Sequence, residues 1–360
     1  MSSISCGLVG LPNVGKSTLY NSLTKNSVLA ANYPFATIEP NVGIVAVPDS
    51  RLEQLAELFP GSKIVPAIIK LLDIAGLVKG ASTGEGLGNQ FLSHIRSVAV
   101  IVEVVRTFED NNVAHVNQSI DPKRDIDIIS TELALADLDS LSRCLGQMEK
   151  EAKSNPKLKH MLELTQKAYS LLGNGQQLYT QLNQEELKQL ADLQLLSTKP
   201  VIYVFNVDEN SLNNKESQQL LIDMVSPSPA LLVCAKLESE LAALEDYDAK
   251  ELRESYGLHH SGLESLVIAA YKTLGLQSFL TAGEKEVRAW TVRSGSTAQE
   301  AAGEIHGDMQ RGFIAADIVG FSDLIMFGSW SACRSAGKVR TEGKDYKMQD
   351  GDVVEFKFNV

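Results

Sequence analysis

The chain has 360 residues, 44% of them hydrophobic, and a net charge of −12. That length and apolar content suffice for two or three domains with a large buried core, and the acidic balance excludes wrapping of nucleic acid by the whole surface. No apolar run approaches a membrane span. The start, Met1-Ser2-Ser3-Ile4-Ser5, lacks a charged leader region, and Cys6, Cys144, Cys234 and Cys333 are too scattered for a disulfide framework or zinc site, so reduced thiols and a cytoplasmic setting are expected.

The first apolar run, Ile4–Val9, reads as a buried strand. It leads into Gly10-Leu11-Pro12-Asn13-Val14-Gly15-Lys16-Ser17, a match to G-x-x-x-x-G-K-S/T, with an amphipathic helix starting at Thr18. A phosphate site needs this order. Gly10 and Gly15 let the backbone curl so that successive N–H groups face phosphate oxygens, and the helix N-terminus adds partial positive charge. Lys16 is placed for the β- and γ-phosphates and the Ser17 hydroxyl for Mg²⁺, with Asn13, Val14, Gly15 and Thr18 completing the cradle.

Two further pieces follow in order. Thr37, in the loop Asn32-Tyr33-Pro34-Phe35-Ala36-Thr37, is placed to offer a hydroxyl to Mg²⁺ when a γ-phosphate is present. Asp73-Ile74-Ala75-Gly76 closes the apolar run 67–72. In this D-x-x-G, Asp73 is expected to hold Mg²⁺ through water and the Gly76 N–H to sense the γ-phosphate. Many P-loop hydrolases place a water-orienting Gln next; here the position is Leu77, which cannot polarise water, so intrinsic hydrolysis is expected to be slow. The glycine-rich tract 80–88 reads as a mobile switch segment.

After a strand at 98–105 the alternating rhythm breaks. From 122 to 197, Ala134, Leu138, Leu141, Leu145, Met148 and Ala152, then Leu158, Met161, Thr165, Ala168 and Leu172, recur at spacings near three and four. This predicts two antiparallel helices with a coiled-coil-like seam. The tip between them carries Lys150, Lys153, Lys157 and Lys159, a solvated charged end or a contact for a polyanion.

The rhythm resumes with a strand at 201–205 followed by Asn206-Val207-Asp208-Glu209, and another at 230–233 followed by Cys234-Ala235-Lys236. These are the expected base-side loops. A guanine site carries Asn-Lys-x-Asp, whose Asp accepts the adjacent N1–H and 2-amino donors. Glu209 sets the carboxylate one methylene further out, Val207 removes the Lys stem along the base, and Asp208 is one position early. Adenine offers no such donor pair, so the residues favour ATP, with GTP as the alternative. From 277 on, strand-like runs at 287–292 and 353–358 enclose a helical stretch at 298–309, which suits a small α+β module. Within it Arg334, Lys338, Arg340, Lys344 and Lys347 form the most basic patch of the chain.

Together Gly10 to Thr18, NYPFATIEPN at 32–41, DIAGLVKGASTGEGLG at 73–88, Asn206 to Glu209, and the tracts 282–290 and 342–360 resemble the Obg-like ATPase family, called YchF in bacteria, among the Obg-related P-loop proteins. The similarity runs over essentially the whole chain. It implies an α/β P-loop G-domain with a mostly parallel sheet (1–121 and 198–276), an inserted antiparallel helical coiled-coil arm (122–197) and a C-terminal ubiquitin-like α+β TGS domain (277–360). It also implies Mg²⁺-dependent ATP hydrolysis, a monovalent cation such as K⁺ assisted by Asn13, and His115 as the loop histidine to which the family's hydrolysis is attributed. Ribosome or RNA association through the TGS domain and the arm is the partner it implies. The alternative is a GTP-binding or nucleotide-gated ribosome-binding module with negligible hydrolysis.

Overall fold

In a computed structural model, residues 4–25, 41–74, 87–109, 119–155, 158–258 and 260–359 are described. Their strands are β1 (Ile4–Val9), β2 (Val42–Ala46), β3 (Lys63–Val65), β4 (Ile68–Asp73), β5 (Val100–Arg106), β6 (Val201–Asn206), β7 (Ala230–Val233), β8 (Leu276–Ala282), β9 (Glu286–Arg293), β10 (Phe313–Gly320), β11 (Arg340–Glu342) and β12 (Asp352–Phe358). The chain divides into two compact units. One is built mainly from residues 5–44 and 70–266, the other from 45–69 and 267–360.

The first unit is built on a sheet of order β2-β4-β1-β5-β6-β7. β1, β5, β6 and β7 run parallel, with Cys6 opposite Val100, Ile101 opposite Val201 and Tyr203 opposite Ala230. β5 and β6 are buried at every residue, which is why their sequences are almost unbroken Val, Ile and aromatic runs without polar alternation. Besides Arg106 and Asn206 at the strand ends, Glu103 lies fully buried in mid-β5, and burial pushes its carboxyl well above the ordinary range. The helix Lys16–Lys25 follows β1, and the helix Leu87–Ser97 buries Phe91, Leu92 and Ile95.

Between β5 and β6 the chain forms the helix Pro122–Ser154 and returns through Lys159–Gly173 and shorter helical turns. Pro122 sits in the first turn, where a missing N–H costs nothing, and Asp121 caps it by accepting from the Arg124 N–H at 3.1 Å. At 33 residues the helix is roughly 50 Å long. The two long helices pack together as expected, with Leu141, Leu164, Ala168 and Leu172 buried and Ala134, Leu138 and Met161 half-buried against them. The seam nearest the tip is shallower: Leu145, Met148 and Ala152 stay half-exposed. The tip residue Lys157 lies outside the described residues.

Two ties, the first of them buried, fasten the return of this excursion. The Asp137 carboxylate accepts from the Leu196 N–H at 2.9 Å and from the Ser197 N–H and hydroxyl at 2.8 and 2.5 Å. Lys199 donates to the Arg96 and Val98 carbonyls, closing the C-terminal end of the helix Leu87–Ser97.

The second unit is a mixed sheet of order β11-β10-β12-β8-β9-β3. β8 and β9 form an antiparallel hairpin, β12 lies parallel to β8, and β10 is antiparallel to β12. Phe279, Trp290, Val292, Ala298, Ala301, Ile318, Met348 and Val354 make its core. The short strand β3, not anticipated from sequence, joins parallel to β9. The helix expected as one piece at 298–309 is two, Ala298–Ile305 and Gly307–Arg311. His306 adopts an extended backbone between them and its Nδ1 accepts from the Asp308 N–H at 3.1 Å, so a new cap interrupts the helix beside a weak helix former, Gly307.

Asp137→Ala removes the acceptor for three buried donors. It should lower stability by about 2–4 kcal/mol in urea unfolding, whereas Asp139→Ala on the exposed face two residues away should change it by less than about 0.5 kcal/mol.

Candidate nucleotide site

The C-terminal ends of β1, β4, β6 and β7 deliver Gly10, Asp73, Asn206 and Cys234 to one edge of the first unit's sheet. Around them is a cleft of about 1540 Å³ lined by Asn13, Gly15, Lys16, Ser17, Thr18, Asp73, Asn206, Val207, Glu209, Cys234, Ala235 and Lys236. Open α/β sheets bind ligands at this place, where the chain reverses its direction across the sheet. Thr37, Gly76 and His115 lie outside the described residues, as does Leu77.

The phosphate end is shaped by backbone geometry. Asn13 and Gly15 both take positive φ, 64° and 89°. A Cβ at Gly15 would come within 2.2 Å of the Asn206 amide nitrogen, so glycine is required by space as well as by dihedral angle. The Leu19 N–H already bonds the Gly15 carbonyl at 2.9 Å, which starts the helix immediately after the loop and leaves its first-turn N–H groups without intrahelical acceptors. Lys16 is largely buried and its ammonium forms a salt bridge with Asp73, while Ser17 and Thr18 are exposed to the cleft. The Ser17 hydroxyl and Asp73 carboxylate are hard oxygen donors that both line the cleft, and their chemistry would suit a Mg²⁺ ion.

The base end hangs on Asn206, which is 4% exposed. Its Nδ2 donates to the Val14 carbonyl at 2.9 Å and its Oδ1 accepts from the Ala235 N–H at 3.0 Å. Its own carbonyl accepts from Thr107, through the N–H at 3.0 Å and the hydroxyl at 2.8 Å. One side chain therefore fixes the phosphate loop to the loop after β7. The Ala235 N–H is engaged by Asn206, and the Cys234 thiol is buried, which raises its pKa. Val207 is 2% exposed, with its N–H on the Val233 carbonyl at 3.0 Å. Asp208 accepts from the Ser211 N–H at 2.8 Å, so its carboxylate serves the following turn. Glu209 accepts from Lys236 Nζ at 2.8 Å and Tyr256 Oη at 3.4 Å; the Lys236 hydrogen bond is the main cause holding its carboxyl below the ordinary range.

Several lining residues have no motif to announce them. Asn41 accepts from the Asp73 N–H through its carbonyl at 2.9 Å, and Phe108 borders the cleft with the buried Arg106 guanidinium 4.5 Å from its ring centre. Gln90 and His94 enter from the helix Leu87–Ser97. An aromatic two residues beyond an apolar strand is the one sequence signal available for Phe108; Tyr256, far along the chain from Glu209, has none.

Fold and cleft together define a P-loop nucleotide-binding protein of the G-protein architecture. The family model described as "50S ribosome-binding GTPase" matches residues 5–132, and the YchF-GTPase C-terminal model, described as "Protein of unknown function (DUF933)", matches 276–359. The ribosome-binding ATPase YchF of Haemophilus influenzae is 47% identical over 359 residues, covering 99% of both chains, and that of Bacillus subtilis is 45% identical over 374 residues, covering 99% of this chain and all of its own. The solved Schizosaccharomyces pombe YchF GTPase superposes with a TM-score of 0.87 at 38% identity, covering 99% of this chain and 98% of its own. The chain belongs to the YchF family.

Asn206→Ala would leave the Val14 carbonyl and the Ala235 N–H without their partner at the junction of both half-sites. Nucleotide affinity should fall at least about tenfold in equilibrium titration, with stability lowered by about 1–3 kcal/mol.

Proposed function

We propose that this chain is a ribosome-binding ATPase that hydrolyses ATP to ADP and phosphate slowly, in a Mg²⁺-dependent switch cycle. The observation that carries this reading is the pairing of a complete phosphate cradle with Glu209 where a guanine-reading Asp is needed. The relatives' names agree on nucleotide hydrolysis but divide on the base, ATPase for the bacterial proteins and GTPase for the yeast structure, so base choice is the first thing to measure.

In this reading Lys16 leaves its bridge with Asp73 to neutralise the β- and γ-phosphate oxygens. Ser17, Asp73 and Thr37 hold Mg²⁺, which when bound screens charge building up between those phosphates. Asn13, Val14, Gly15 and Thr18 orient the phosphates, Asn13 also meeting a K⁺ ion, and Gly76 senses the γ-phosphate. Asn206, Val207, Glu209, Cys234, Ala235 and Lys236 frame the base. With Leu77 in place of a water-orienting group, His115, which matches the loop histidine of the YchF family, orients water in this reading, and the rate depends on it.

Ribosomal RNA is the proposed partner, met by the C-terminal module, a TGS domain, and by the lysine-bearing tip of the arm. Three cations of the C-terminal patch already face carboxylates: Arg334 with Asp317 at 3.3 Å, Lys338 with Asp323 at 3.2 Å and Arg340 with Asp352 at 3.5 Å. Phosphate contact there has to compete with these pairs, which shifts the expected weight toward exposed Lys344 and Lys347. No helix among the described residues is long and apolar enough to cross a membrane, in keeping with work on ribosomes in the cytoplasm.

Wild type should bind ATP several-fold tighter than GTP, and Glu209→Asp should narrow the gap. Lys16→Ala should abolish turnover with the fold intact by circular dichroism; normal turnover would sink the site assignment. Lys344→Glu combined with Lys347→Glu should weaken ribosome sedimentation and flatten its salt dependence, leaving ribosome-free ATP turnover within about twofold of wild type.

A further inference from the structure

Glu209 is held by donors from two different elements of the first unit. Lys236, in the first turn of the helix Ala235–Leu241, places its ammonium 2.8 Å from one carboxylate oxygen. Tyr256, the residue closing the helix Asp246–Ser255, places its hydroxyl 3.4 Å from the other. The group is electrostatically self-consistent. Lys236 and Tyr256 both titrate above their ordinary values, chiefly because each faces the Glu209 carboxylate. Lys236 is largely exposed and Glu209 is 34% exposed at the rim of the cleft, so the lysine is not forced there by core packing.

We propose that Lys236 and Tyr256 are positioning residues that tie down both oxygens of Glu209 and so weaken its carboxylate as an acceptor for guanine's paired donors. Nucleotide choice is then set by three residues rather than by Glu209 alone. The inference rests on the ATP reading above and deepens it. Guanine's N1–H and 2-amino group need the two carboxylate oxygens in one plane facing the base edge; each oxygen can accept a second donor, but Lys236 and Tyr256 fix the direction of the Glu209 carboxylate, and Lys236 offsets its charge. To pair both donors well, guanine would have to turn the carboxylate against these two contacts or accept poorer geometry, and poorly paired polar groups in a closed site are what rejects a wrong substrate. Adenine presents no such donor pair, so the same tie places no comparable demand on ATP. The length of Glu209 matters to the device: the extra methylene relative to Asp helps its carboxylate reach Lys236 and Tyr256. Partly exposed ion pairs are individually weak, so severalfold effects are expected rather than thousandfold ones.

The test uses the full chain and titrations with fluorescently labelled ATP and GTP. It compares wild type, Lys236→Met, Tyr256→Phe and the double variant, with the same substitutions repeated on Glu209→Gln. The Kd ratio of GTP to ATP should fall about fivefold in the double variant, mainly through tighter GTP binding. Lys236→Arg, which keeps a donor on Glu209, should retain the wild-type ratio. On Glu209→Gln, removing the two donors should leave the ratio within about twofold of Glu209→Gln alone. An unchanged ratio in the double variant of a wild type that prefers ATP overturns the positioning role and leaves the ATP reading standing. An equal fall on Glu209→Gln overturns it as well, since the donors would then act on the base directly. A wild type that prefers GTP overturns the ATP reading and this inference with it.

Discussion

Everything at the nucleotide end of this molecule depends on one buried amide. Asn206 spans two loops that no ladder hydrogen bond connects, giving its nitrogen to Val14 and taking the N–H of Ala235. The helices that follow the two segments, Lys16–Lys25 and Ala235–Leu241, pack on each other and set their coarse separation. The amide fixes the hydrogen-bonded register between them, and it can do so only because Gly15 has no side chain where Asn206 passes. Phosphate geometry and base geometry are therefore one constraint, set at the end of β6 and transmitted to the ends of β1 and β7.

Around that constraint the chain distributes charge with opposite economies. At the phosphate end Lys16 and Asp73 neutralise each other in a half-buried setting, so each exchanges a protein partner for a ligand partner instead of leaving water unaccompanied. At the base end the Glu209 carboxylate is satisfied from within the protein. The first arrangement suits an anion and a cation together; the second holds its carboxylate to partners within the protein.

Much of this was legible in the amino-acid order because local rules carry it. β1, β5 and β6 are strands buried on both faces, and such strands must be apolar runs, so their positions could be read within two residues. The phosphate loop was legible because glycine and lysine spacing states its chemistry directly. The paired helices showed in a three-and-four repeat, although that repeat overstates burial toward the tip, where Leu145 and Met148 have fewer neighbours to cover them. What did not show was whatever tertiary context decides. β3 is three residues long and exists through its pairing with β9. The break at His306 turns on one imidazole finding a backbone N–H. Tyr256 reaches the site from a helix end that carries no motif, and Asn41 and Phe108 became cleft residues only when their loops were placed.

The Asp137 clamp also redraws the anatomy of the long helix. Parallel neighbours such as β5 and β6 cannot be joined by a hairpin; the chain must travel back along the sheet, and in this architecture a helix normally makes that trip. The first turns of Pro122–Ser154, with Ile126, Ile129 and Leu133 buried, lie against β5 and make it here. Asp137 then grips Leu196 and Ser197 just before the chain enters β6. The helix is thus two structures under one continuous backbone: an ordinary crossover of the sheet up to Asp137, and a projecting lever beyond it. The frontier between domain and appendage falls in mid-helix, where no change in sequence rhythm marks it, and a graft that exchanged levers between relatives would be spliced at 137 and 197 rather than at the helix ends.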